Sequence, residues 1–289
     1  MFKEQAHLLI LNNKTRHKPN KFKMKLYSYS KLSTFEKCPL KFKFKYIDYL
    51  ESDFEETIEG FLGKQIHKTL EWTYNNKEKT LELDDIVKYF IESWNSKFTS
   101  DIKIIKQLPA EHYFNKGIKF LINYFLNNSP FKDNTIATEK KVLINLDSNG
   151  EYKLIGYIDR LVYHPTTNIF EIHDYKTGSV KSKEELNEDR QLALYSIAIR
   201  ESFENVNDVF LIWHFLESNK EIRSRRTLQE LENLKRDVIE LINKIESTIN
   251  FQANPSSLCN WCEFQSKCPA FKEYKEKNLI KINKVSSTY

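Results

Sequence analysis

The residues best suited to chemistry sit on two neighbouring apolar segments. Asp159 interrupts the run Leu154 to Tyr163, and Asp174 and Lys176 stand two apart at the end of Ile169 to Lys176. Residues two apart on a strand face the same side. With Thr166 and Thr167 at the centre of the intervening turn, Asp159 falls directly opposite Asp174. Carboxylates paired in this way stand about 4.5–5.5 Å apart at Cβ and repel each other. A hard divalent cation with oxygen ligands resolves the conflict. An ammonium beside it could hold a water nucleophile or stabilise a pentavalent phosphate, while the cation lowers the water's pKa. The plainer alternative is a structural Asp174–Lys176 ion pair near a turn.

Two more pairs have helical spacing. Gly63 and His67 lie one turn apart with Glu71 continuing their face, and Gln191 and Tyr195 are again four apart. Such residues meet on one helix surface. A bare glycine lets another backbone approach the imidazole, a common metal ligand. Taken singly, His67 also reads as an ordinary satisfied or exposed histidine, and Gln191 and Tyr195 as ordinary amphipathic positions. The four cysteines are Cys38, far upstream, and Cys259, Cys262 and Cys268 in one short segment. In a reducing compartment a clustered set suggests metal rather than disulfides. A bare set of four thiolates favours zinc and also suits an iron–sulfur cluster. Cys38 alone reads as a buried thiol, but the chain has no other cysteine to supply a fourth ligand.

The elements that must position these residues are legible as patterns. Ser28 or Ser30 caps a helix into Phe35–Lys37, and Pro39 opens a second to about Tyr46. Apolar steps of three and four predict helices over 58–75, 83–98 and 110–127. The period then changes: 135–146, 152–163 and 169–175 read as strands. A helix over 184–202 follows, then strands over 208–215 and 221–226 joined at Ser218-Asn219, and a long amphipathic helix over 227–250. Segregated helices and strands imply an α+β or mixed sheet.

Composition sets the outer bounds. Six Gly and seven Pro in 289 residues, with 20 Phe and 15 Tyr, describe a regular chain with enough apolar mass for a core. The net charge of +5 permits a polyanionic partner without requiring one. Basic residues cluster with aromatics over 14–25 and 37–45, which a solvated surface would also explain. No run approaches the roughly 20 apolar residues of a membrane span. A signal-peptide core and cleavage site are missing too, so a cytoplasmic protein is expected. Helicase motifs, including the phosphate-binding loop, are missing as well.

In chain order, G-x-x-x-H ending at His67, G-Y-I-D ending at Asp159, D-Y-K-T-G from Asp174 and Q-x-x-x-Y from Gln191 form one set. This set resembles the RecB/AddB-like exonuclease branch of the PD-(D/E)XK nuclease superfamily, which includes CRISPR-associated nucleases with an iron–sulfur cluster. The resemblance extends from Tyr27 to about Phe271. It implies an α+β, restriction-endonuclease-like core: a mixed central sheet flanked by helices, with an added helical region and a C-terminal Fe–S staple. By family role, His67, Asp159, Asp174 and the backbone carbonyl of Tyr175 would bind Mg²⁺ or Mn²⁺. Lys176 would be the catalytic lysine, and Gln191 and Tyr195 would support the site or contact DNA. Cys38, Cys259, Cys262 and Cys268 would hold a [4Fe–4S] cluster, with structural Zn²⁺ as the alternative. The second acid is Asp where many members have Glu.

The expected organisation is a flexible basic leader over 1–23, or an over-extended start, and a single nuclease domain over 24–289. Within that domain, 60–129 is a helical insertion, 135–226 the catalytic core and 254–271 the cysteine cluster. The expected function is metal-dependent hydrolysis of DNA from an end in recombination or repair, with a helicase or a CRISPR integrase as partner. The alternatives are a CRISPR-adaptation nuclease trimming DNA ends, a DNA-binding module without catalysis, and a zinc-stapled interaction protein.

Overall fold

The computed structural model describes residues 25–76 and 79–286, with side chains up to residue 277. The expected leader over 1–23 lies outside the described residues, as does most of the first basic cluster. The chain opens with strand β1 (Lys25–Ser28) and helices α1 (Tyr29–Lys37) and α2 (Pro39–Tyr46). Helices α3 (Ile58–Asn75), α4 (Leu83–Lys97) and α5 (Ala110–Asn128) follow, then strands β2 (Thr135–Asn145), β3 (Tyr152–His164) and β4 (Ile169–Lys176). After these come α6 (Lys183–Glu188), α7 (Gln191–Ser202), β5 (Asp208–Phe215), β6 (Lys220–Ser224), α8 (Leu228–Ser247) and α9 (Pro269–Ser286).

The six strands form one mixed sheet flanked by helices, as an α+β PD-(D/E)XK core requires. Strand β3 is its hub. β2 runs antiparallel along one edge of β3. The other edge is shared: β1 pairs parallel with Tyr152–Ile155, and β4 pairs antiparallel with Arg160–His164. Parallel β5 and antiparallel β6 extend the sheet beyond β4. One apolar core holds α1, α2, α7 and α8 on the sheet, centred on buried residues such as Leu154, Ile158, Leu161, Phe170, Trp213 and Val238. A second core is built by α3, α4 and α5 around Phe61, Ile66, Phe90 and Phe120, and it also takes in Tyr175 and Leu216. The helical region is therefore seated on the sheet, and its first helix carries His67.

Sequence and structure differ at three places. The helix expected over 184–202 is broken at Asp189 and Arg190. The buried Asp189 carboxylate accepts the Gln191 N–H at 3.0 Å across Arg190, which holds the N-cap position of the new helix without a side-chain cap. Strand β1 is not foreseen by the pattern, because four residues are too few to show a period. The cysteine tail, read without elements, holds short 3₁₀ turns at Ser257–Trp261 and Gln265–Lys267 before α9. Ser28 is the cap of α1, its side chain accepting from Lys31 N.

Helix α7 approaches β3 so closely that only glycine fits beneath it. A Cβ on Gly156 would lie 2.2 Å from Cε1 of Tyr195. Gly156→Ala is therefore expected to destabilise the fold by about 1–3 kcal/mol, as overpacking does. In a Tyr195→Ala background the same change should add no further loss. Urea denaturation of the four proteins of this cycle measures the coupling, and additive losses would show that the contact is not tight.

Candidate active site

The site lies where the sheet opens. β1 leaves β3 at Ile155, and β4 rejoins it only at Arg160, so the edge of β3 between them carries no ladder. The β3–β4 register is the one expected from the turn, but its last pair is Arg160–His173. Asp159 and Asp174 lie one step beyond, where the strands part. The ladder's lost acceptor is replaced by a side chain: the Tyr175 N–H donates to Asp159 Oδ2 at 2.9 Å.

Both strands on the β2 side also change phase here. The residues turned to the first core are Leu154 and Ile158, then Leu161, on β3, and Val142 and Ile144, then Ala137, on β2. The pairing register is unbroken from Lys140–Ile158 to Thr138–Arg160. Both strands therefore shift by one residue together, at Asp159 and at Glu139. Glu139 has φ of 43°, a left-handed conformation in mid-strand. That costs a non-glycine residue roughly 1–2 kcal/mol, and such conformations cluster where they serve a site. Among the described residues, His67, Glu139 and Asp159 form a group whose potential ligand atoms all lie within 4.8 Å of one another. Sequence reasoning missed Glu139. It sits in the polar stretch Thr138-Glu139-Lys140-Lys141, and only its place across from Asp159 on β2 could have flagged it.

Helix α3 delivers His67 from the opposite layer. Its Nε2 donates to the Tyr175 carbonyl at 2.8 Å, and Nδ1 stands 3.3 Å from Asp159 Oδ2. The turn after β4 reaches α3 at Gly63, where Thr177 Oγ1 lies 3.5 Å from the place of a Cβ. Asp174 is 3 % exposed. Lys176 Nζ donates to Asp174 Oδ1 at 2.9 Å and to Gln191 Oε1 at 3.3 Å, and stands 2.8 Å from Asp174 Oδ2. No aligned donor among the described residues satisfies Asp174 Oδ2, a buried acceptor with a lone pair to spare. The Tyr195 hydroxyl is held by the Gln191 side chain and the Tyr157 backbone.

The electrostatics follow from crowding. Burial pushes the Asp174 carboxyl up, Lys176 pulls it down, and Asp159 adds to the rise. Burial alone would lower Lys176, but the Asp174 carboxylate raises it instead. Glu139 is raised by burial and by Asp159. Burial also works against charging His67, yet Asp159 overturns it and lifts the imidazole to about 9. Without metal, two cations thus offset the carboxylates. The donor set fits a divalent ion: hard carboxylate oxygens and one imidazole, converging in a partly buried position.

The cysteines form a separate lobe. Cys38 joins α1 to α2, while Cys259 lies within the first 3₁₀ turn and Cys262 and Cys268 end the first and second. All four line one cavity of about 800 Å³ that runs on to Asp159, Gln191 and Tyr195. The second basic cluster is largely committed within the protein. Lys41 and Lys45 pair with Glu263, and Lys43 with Asp48.

A family model for the PD-(D/E)XK nuclease superfamily matches residues 26–269. No curated protein matches the chain significantly. Among solved structures, the chain is similar to a protein proposed to be an exonuclease, from Eubacterium rectale. That likeness has a TM-score of 0.46 and 13 % identity, over 82 % of this chain and 86 % of the other. It is also similar to SSO0001, with a TM-score of 0.34 and 17 % identity, over 73 % of this chain and 95 % of the other. Neither likeness is close enough to carry an inference. No helix among the described residues is long and apolar enough to cross a membrane.

The charge balance gives a signed pH dependence. His67 has its folded pKa raised from 6.5 to about 9. Its contribution is therefore complete below the unfolded value and lost as pH rises through about 9. In chelator, wild type should melt above His67→Gln at about pH 6, and the gap should close by about pH 10. A gap that is constant across this range would show that His67 is neutral in the metal-free fold.

Proposed function

The chain belongs to the PD-(D/E)XK nuclease superfamily, whose members are metal-dependent hydrolases, and from that premise we propose a Mg²⁺- or Mn²⁺-dependent DNA exonuclease of the RecB/AddB-like branch. The observation that carries the reading is the meeting of His67, Asp159, Asp174 and Lys176 at the parted end of β3 and β4, with the buried Asp174 carboxylate engaged by the Lys176 ammonium. His67, Asp159, Asp174 and the Tyr175 carbonyl would hold the ion, and Glu139 stands beside them. When bound, the ion lowers the pKa of a water and screens phosphate charge.

The chain's own groups supply the rest. Lys176, fixed by Asp174 and Gln191, presents an ammonium that orients a water and offsets charge gathering on the phosphate. Tyr195 steadies Gln191 and so the third contact of that ammonium. The cavity lined by Tyr29, Tyr157 and Lys37 leads to Asp159 and offers a path for a DNA strand. Hydrolysis from an end, and a role in recombination or repair beside a helicase, come from the branch resembled; co-purification with an integrase would point instead to CRISPR adaptation.

We also propose that the four cysteines hold a [4Fe–4S] cluster that joins the two ends of the domain. All four cysteines line one cavity, which supports a shared cofactor. The lobe has other ties: Asp53 N–H donates to the Glu263 carbonyl at 2.7 Å, Asn254 Nδ2 to the Lys37 carbonyl at 3.0 Å, and Phe44 meets Phe264 edge-on at 5.7 Å.

Two outcomes are expected. Asp174→Ala and Lys176→Ala should reduce cleavage of end-labelled linear DNA to background with circular dichroism unchanged. In metal-free buffer Asp174→Ala should melt no lower than wild type, since it removes a buried carboxylate beside Asp159. Wild-type rates in either variant would sink the assignment; cutting of closed circular DNA would sink the exonuclease mode alone. Second, anaerobically purified wild type should be brown, with iron and sulfide that Cys38→Ser lacks. Stoichiometric zinc without iron would overturn the cluster and leave the nuclease reading standing.

A further inference from the structure

Behind the carboxylates, on the other face of the sheet, sits a buried guanidinium with every nitrogen engaged. Arg160 is 2 % exposed. Its Nε donates to the Tyr175 hydroxyl at 2.9 Å and its Nη2 to His173 Nδ1 at 2.7 Å. Nη1 donates to the Asp133 carboxylate and to Thr135 Oγ1 at 3.4 Å. The guanidinium also lies 4.2 Å over the Tyr74 ring. Tyr124 closes the network, with its hydroxyl 3.3 Å from that of Tyr175 and 2.8 Å from that of Tyr74.

Asp133 and the Tyr74 face would suffice to neutralise and cover a buried cation. The other two contacts are of a different kind. His173 and Tyr175 are the residues on either side of Asp174, and alternation turns them to the face away from it. One planar fork thus holds both neighbours of a candidate ligand. It does so from the last paired residue before β3 and β4 part. Tyr175 also carries the two backbone groups of the site, its N–H on Asp159 and its carbonyl on His67.

We propose that Arg160 is a positioning residue for the metal site: it fixes the Tyr175 peptide and the Asp174 side chain from behind, at the point where the ladder no longer does so. The inference rests on the metal-binding role proposed above for His67, Asp159 and Asp174. A lysine could keep the charge but not the fork, because its ammonium is a single point with no planar pair of donors.

The test is calorimetric titration of metal-free protein with Mn²⁺, with Asp174→Ala as the blank. Arg160→Lys should bind Mn²⁺ roughly 10–100-fold more weakly than wild type, the range seen when a group that orients a ligand is lost. Tyr175→Phe keeps the ring and removes only the hydroxyl that Nε grips, and should move affinity in the same direction by less. Ile242→Val, in the other core, controls for lost stability and should leave affinity unchanged. If Arg160→Lys and Tyr175→Phe melt lower yet bind Mn²⁺ like wild type, Arg160 is a core cation only and the inference falls. If Arg160→Lys does not fold, Tyr175→Phe decides by the same criterion. Wild type that binds no more Mn²⁺ than the Asp174→Ala blank would instead remove the metal site itself, and the nuclease reading with it.

Discussion

The structure depends on the parting of two strands. As long as β3 and β4 are paired, their backbones satisfy each other and their side chains alternate between two cores. Beyond Arg160–His173 the pairing stops while β4 stays bound to β5 through Lys176. Backbone groups that leave a ladder must find new partners. Here they find functional side chains: Asp159 takes the Tyr175 N–H, and His67 donates to the Tyr175 carbonyl. The same peptide that would have been structural becomes the floor of the site. β1 stops short on the other side, so the gap stays open rather than being filled by another strand.

Opening the sheet there would be unfavourable without charge compensation. Asp159, Asp174 and Glu139 converge in a partly buried space, where burial and the Asp159 charge push the Asp174 and Glu139 carboxyls up. His67 from α3 and Lys176 from β4 answer them from two layers of the fold. This explains why the helical layer is more than an ornament on a nuclease core: it brings one of the two compensating cations. β2 is deformed at the same place: Glu139, across from Asp159, takes a left-handed conformation at a cost in backbone energy.

How much of this was legible in the sequence depended on how local each feature is. Asp174 and Lys176 stood out because a strict two-residue period placed both on one face, and the short Thr166-Thr167 turn set the β3 register. His67 and Gly63 were legible through helical spacing. Glu139 was not, since its role needs a positive φ that no residue type announces. Arg160 carried no signal of its own, for its partners Tyr74, Asp133 and His173 come from three separate segments of the chain. The break at Asp189 was hidden because apolar spacing continues across it, while the Asp189 side chain turns back onto the Gln191 N–H. β1 was invisible for lack of length. The pairing of the lysines of α2 with Glu263 required the two ends of the chain to meet, which spacing could not show.

The two ends meet over the cavity, and that divides the labour within the molecule. The sheet sets the geometry of the charged groups, through contacts that are short, buried and mostly between neighbouring strands. The lobe of 3₁₀ turns and the α1–α2 corner instead form walls around the approach to Asp159. Its ties are a part-exposed set of ion pairs, a few backbone hydrogen bonds and one aromatic pair. Exposed ion pairs contribute little each, and joining segments more than 200 residues apart carries a large loop-closure cost. A cofactor held by four thiols across that junction would therefore act chiefly on the walls and on the approach of a DNA strand. The carboxylates, anchored by Tyr175 and the sheet, would keep their arrangement for as long as the two cores hold.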